Sequence, residues 1–170
     1  MGYGYRFFRG VAYALEILVF FVVQQTPGLI PEIAGARPLL LLPLVVAIAL
    51  FETEFVGLWF GLFAGLLLDV GLWSIVGFWA IIFAALGYLV GFWAVRFLQS
   101  NFLTMMIVSA IAIVIVYGLY FLFGFLLHFY AGTQYALLRH FLPRMAYTLA
   151  LAPVFYFFNR ALVMKLSEKE

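Results

Sequence analysis

The chain has no cysteine among its 170 residues, which removes disulfides, thiolate metal sites and cysteine nucleophiles and leaves the redox compartment open. Charge is scarce too, at seven acidic and nine basic residues, 9% of the chain. Set against 68% hydrophobic residues and a mean hydropathy of +1.19, so few charges cannot cover a water-soluble globule, and the composition is that of an integral membrane protein. Histidine occurs only at His128 and His140, and no His-Glu-x-x-His pair falls on one helical face, which excludes that zinc-protease pattern. The paired-glutamate helix of glutamate-dependent membrane proteases is absent, since Glu52 and Glu54 have the wrong spacing. No serine, histidine and aspartate combination, phosphate-cradling loop or dinucleotide fingerprint appears either. The chain therefore reads as no enzyme, with no cofactor and no metal.

What the sequence has in abundance is long apolar runs. A hydrocarbon layer about 30 Å thick, crossed by a helix rising about 1.5 Å per residue, needs about 20 apolar residues per span. Arg6 and Arg9 precede an apolar run that superficially resembles a secretory signal. Gln24-Gln25-Thr26-Pro27 follows it without a small-residue cleavage pattern, so it is read as a first span. The expected spans are 7–25, 38–51, 55–72, 75–98, 102–127 and 144–163. Prolines 27 and 31 with glycines 28 and 35 mark a loop after the first span. Glu52-Thr53-Glu54 marks a bend between the second span, short and carrying Pro43, and the third. The short leg either thins the bilayer locally or is re-entrant. The runs lack the alternation of barrel strands, so the expected fold is an all-α polytopic membrane protein. It forms a single domain over 1–170, a compact bundle of six transmembrane helices, with five as the alternative.

Six spans with both termini cytoplasmic put Arg6, Arg9, Arg96, Arg160, Lys165 and Lys169 inside and Arg37, Arg139 and Arg144 outside, which satisfies the positive-inside rule. A basic pI near 9 suits anionic lipid headgroups and not nucleic acid.

Polar and small residues inside the spans carry the functional signal. Gly57, Gly61, Gly65 and Asp69 fall at four-residue steps in the third span, a slanting stripe that drifts about 40° per step on a helix of 3.6 residues per turn. Small residues let helices approach closely in lipid, so the stripe is either an intramolecular packing seam or a docking groove for a partner helix. Gly87 and Gly91 offer a second such surface. Asp69 is expected to reach interfacial water, cap the following turn, or pair with Arg37, Arg139 or Arg144. Glu16, inside the first span, costs about 2.5–3.5 kcal/mol at a helix centre on insertion scales. It must face the bundle interior or be protonated, with a hydrogen bond to an inward Tyr, Gln or Ser as the structural expectation. Tyr13, Gln24 and Gln25 on nearby turns, or Ser109, Tyr117 and Tyr120 from the fifth span, are the candidates.

The run Arg37-Pro38-Leu39-Leu40-Leu41-Leu42, then Gly57, Gly61 and Gly65-Leu66-Leu67-Leu68-Asp69, then Gly77, resembles the rod-shape-determining protein MreD family, and the likeness continues through Gly87, Tyr88, Gly91 and Arg96. The resemblance implies a non-enzymatic subunit of the bacterial cell-elongation complex in the cytoplasmic membrane. Its implied partners are the bitopic protein MreC, the filament protein MreB, and the peptidoglycan polymerase and transpeptidase. It also implies a six-helix fold similar to the substrate-binding subunits of vitamin-uptake transporters. The rival reading is such a subunit itself, a small-molecule binder needing an energising ATPase, with aromatic side chains lining its pocket. No inverted repeat points to an autonomous transporter.

Overall fold

The computed structural model describes residues 3–32, 37–71, 77–97, 100–126 and 141–167. Among them it is helical throughout, with helices α1 (Tyr3–Gln25), α2 (Leu41–Phe51), α3 (Glu54–Gly71), α4 (Phe78–Phe97), α5 (Phe102–Leu126) and α6 (Leu142–Ser167) and no strand. Five of the six are long and apolar enough to cross a membrane; α2 is the exception. The fold is therefore the expected all-α polytopic bundle.

The short helix is the axis of the bundle. Its eleven residues span about 16 Å at 1.5 Å per residue, and every side chain from Leu41 to Leu50 is buried. A helix apolar all round belongs inside a core, and α2 touches each of the other five helices. Because α2 meets protein and not lipid, hydrocarbon thickness does not set its length. Its ends are closed by neighbours in place of local caps. The N–H of Leu39 donates to Thr148 Oγ1 of α6 at 3.1 Å, and that of Leu41 to Gln24 Oε1 of α1 at 3.3 Å. Pro43 sits in the first turn, where a missing N–H costs nothing. At the other end Ser100 Oγ donates to the Leu50 carbonyl at 3.1 Å, and the chain turns extended at Glu52, φ −119° and ψ −174°.

Helix α1 runs antiparallel beside α2 in matched register. Gln24 holds the start of α2, while Arg9 pairs with Glu52 just past its end and Tyr13 Oη donates to the same carboxylate at 3.0 Å. The separation from Tyr13 to Gln24 equals that from Leu41 to Glu52, so α2 runs back alongside the second half of α1. The bundle consequently has two polar ends. One gathers Arg9, Glu52, Glu54, Arg96 and Ser100, with Arg160 and Lys165 beyond Tyr156, whose hydroxyl donates to the Ser100 carbonyl. The other gathers Gln24, Arg37, Asp69, Gly77 and Thr148, with Arg144 one turn before Thr148.

Candidate functional site

The glycine stripe of α3 meets a matching row on α4, and each position explains why no side chain is present. A β-carbon at Gly57 would stand 3.0 Å from the Gly87 carbonyl carbon, one at Gly61 2.8 Å from that of Phe83, and one at Gly65 2.5 Å from Ala80 Cα. From the other side, a β-carbon at Gly87 would fall 2.7 Å from the Gly57 carbonyl carbon, and one at Gly91 2.7 Å from Glu54 Cα. Backbone meets backbone over the length of both helices, in four-residue steps on each. Gly57, Gly61, Gly65, Gly87 and Gly91 thus all lie in one antiparallel α3–α4 seam, and α4 occupies the groove they make.

Asp69 closes the seam. Only 2% exposed, it accepts hydrogen bonds from the backbone N–H groups of Gly77 (2.8 Å), Trp79 (3.0 Å) and Ala80 (3.2 Å). These are donors of the first turn of α4 that no intrahelical carbonyl can satisfy, and the helix dipole there favours a negative charge. Gly77, with φ +100°, adopts the left-handed conformation that turns its N–H back toward this carboxylate. Among the described residues no arginine forms an ion pair with Asp69; Arg139 lies outside them.

Along α1 the polar residues Arg9, Tyr13, Glu16 and Gln24 recur at helical spacing and face the bundle. Glu16 is 6% exposed and accepts a hydrogen bond at 3.0 Å from Asn159 Nδ2 of α6, a residue fully buried and 143 positions away. Its partner is therefore neither a Tyr, a Gln nor a Ser. Glu16 Oε2 and Asn159 Oδ1 remain without a hydrogen-bond partner. Asn159 and Thr148 were absent from the sequence-based candidates. The available signal was their spacing: with Ala152 and Phe155 they form a buried i, i+4, i+7, i+11 stripe on α6.

Two cavities open among the described residues. A polar chamber of about 430 Å³ lies at the Asp69 end, lined by Gln24, Gln25, Arg37, Trp79, Tyr117, Tyr120 and Arg144 among others. An apolar groove of about 580 Å³ separates α4 from α5 and is walled by Ile, Leu and Val side chains with Trp93. Among the described residues no group of three or more His, Asp and Glu side chains is placed to hold a metal ion. Among the described residues, Asp69 caps a helix, Glu32, Glu52 and Glu54 pair with arginines, Glu16 meets Asn159, and Arg37 and Arg144 line the chamber.

Comparison with known proteins agrees with the sequence resemblance. The family model for rod shape-determining protein MreD matches residues 5–166, nearly the whole chain. No curated protein and no solved structure matches.

Proposed function

The chain belongs to the MreD family of rod shape-determining proteins, and from that premise we propose that it is the polytopic subunit of a bacterial cell-elongation complex, acting by binding other membrane proteins and not by catalysis. A role in shape determination within a membrane follows from the family and from the spanning helices. The finer reading is that it docks the membrane segment of an MreC-like bitopic protein and, through it, serves MreB and the peptidoglycan polymerase and transpeptidase. It resides in the cytoplasmic membrane, crosses six times, and keeps both termini in the cytoplasm. Charge supports that orientation: Arg9, Arg96, Arg160 and Lys165 lie at one end, Arg37 and Arg144 at the other.

The observation that carries the binding role is that the carboxylates of α2–α3 and the glycine seam are engaged inside the bundle. Asp69 caps α4, Glu52 and Glu54 pair with Arg9 and Arg96, and the five glycines are filled by backbone. Apart from the chamber, the surface left to interact is largely apolar and faces the bilayer, including Phe7, Phe8, Leu15, Val19 and Val22 of α1. Helices recognise one another in lipid through such faces by packing and not by hydrophobic drive. The α3–α4 seam then acts at one remove, by holding the hairpin that presents those faces.

The test is copurification of tagged protein from native membranes in mild detergent, with mass spectrometry of bound proteins and small molecules. Recovery of an MreC-like protein and elongation enzymes is expected. Recovery of an ATPase module with a stoichiometric small ligand, and no MreC-like protein, would overturn the reading in favour of a transporter substrate subunit.

A further inference from the structure

We propose that the chamber at the Arg144 end of the bundle binds the phosphate group of an anionic lipid headgroup. The inference goes beyond the partner-binding role, and its test requires no partner.

The chain has seven acidic residues, and none lies between Asp69 and Glu168. Glu16, Glu52 and Glu54 are engaged by Asn159, Arg9 and Arg96 toward the opposite end. At the chamber end, among the described residues, the acidic groups are Glu32 and Asp69. Glu32 is bound to Arg37 at 2.6 Å, and the oxygens of Asp69 take three backbone N–H groups. Arg144 lines the chamber and pairs with no carboxylate among the described residues. The stretch 127–140 contains no acidic residue to supply one.

An unpaired cation points the same way. Arg144 lines the cavity and its Nε has no hydrogen-bond partner among the described residues, while Gln25, also at the cavity, turns its Nε2 against Gly71 of α3. A buried donor left unpaired is costly, and a charged one more so. The chamber thus brings together two guanidinium groups, that of Arg37 held at its Nε by Glu32 and that of Arg144 with no carboxylate partner among the described residues, and the planar fork of a guanidinium matches phosphate oxygens. Its volume of about 430 Å³ exceeds what one phosphate needs, leaving room for the glycerol portion of a headgroup.

Depth in the membrane favours a lipid source over a soluble ester. Gln25 ends α1, Trp79 is the second residue of α4 and Arg144 the third of α6, so the chamber lies at the level of the helix ends. Lipid phosphates occupy that level, and Trp and Tyr concentrate there. Tyr120 both lines the chamber and is 43% exposed, which makes this wall part of the lipid-facing surface.

The experiment is a native mass-spectrometry titration of the full chain in mild detergent with phosphatidylglycerol, phosphatidylcholine of the same acyl chains, and inorganic phosphate. One phosphatidylglycerol per chain is expected, bound about tenfold more tightly than phosphatidylcholine. Arg144→Gln should weaken it by about tenfold, the scale of one charge-assisted hydrogen bond, while Arg160→Gln at the other end should leave it unchanged. Arg37, 47% exposed in its side chain, gives a second variant that does not threaten folding, and Arg37→Gln should weaken binding at least threefold. Unchanged affinity in the chamber variants, or equal loss in Arg160→Gln, would overturn the site. Displacement of the lipid by inorganic phosphate at equal concentration would overturn the lipid source.

Discussion

Substitution at Gly61 measures how tightly the α3–α4 seam is closed. A β-carbon there would collide with the Phe83 carbonyl, 2.8 Å from its carbon, and stand 3.3 Å from Ala84 Cα. Both obstacles are backbone, so no side-chain rotation relieves them and the two helices must part. Overpacking of this kind costs about 1–3 kcal/mol, or about five- to hundredfold in the folding equilibrium. Gly118 is the internal control, because it lies within α5 and a β-carbon there would meet nothing within 4 Å. Gly118→Ala should change stability by zero to about +1 kcal/mol, the usual gain from removing a helical glycine. The pair is read by equilibrium unfolding in mixed detergent micelles and by thermal unfolding of purified protein. Gly57 and Gly87 extend the test, since each would place its β-carbon on the other's backbone. Once one substitution has spread the helices, the second costs less, so the double variant should be less destabilised than the sum of the singles. A Gly61→Ala protein as stable as Gly118→Ala, or strict additivity for Gly57 and Gly87, would refute backbone-to-backbone closure.

Asp69→Ala strips the first turn of α4 of its acceptor, and a lost helix cap costs about 0.5–2 kcal/mol; faster hydrogen exchange confined to Gly77, Trp79 and Ala80 would report it. Thr148→Val leaves the buried Leu39 N–H unpaired and should cost about 1–3 kcal/mol, whereas Thr26→Val, whose hydroxyl bond is exposed, should cost little in the same unfolding assay. Glu52→Gln removes the charge that Arg9 pairs with and should destabilise by up to about 3–5 kcal/mol, less whatever water recovers at Arg9, 20% exposed in its side chain. Glu16→Gln keeps an oxygen for Asn159 Nδ2 and adds donors near the unpaired Asn159 Oδ1. It should match the parent in stability, while Glu16→Ala, which leaves Asn159 Nδ2 with its Phe155 carbonyl bond alone, should fall below both.

Run length and local spacing were legible in the sequence because they are local properties. About 20 apolar residues make a span wherever they occur, so membrane class and helical fold followed from composition. Glu52-Thr53-Glu54 marked the break between α2 and α3, since a run continuous through it is too long for one crossing. The four-residue steps of Gly57, Gly61, Gly65 and Asp69 marked a face without saying what lay opposite. Tertiary structure alone decided that α4 fills it, that Asp69 turns to three N–H groups at the start of α4 and, among the described residues, to no arginine, and that Glu16 meets Asn159 on the last described helix. It also made the shortest helix the centre, with its N–H groups closed by Gln24 and Thr148 from two other helices. The physical reason is that lipid is as apolar as the core. Hydrophobic pattern, which in water separates inside from outside, carries little information about which helix face is buried in a bilayer. That choice falls to close packing and to hydrogen bonds between residues far apart in the chain, and these exist only once the helices are side by side.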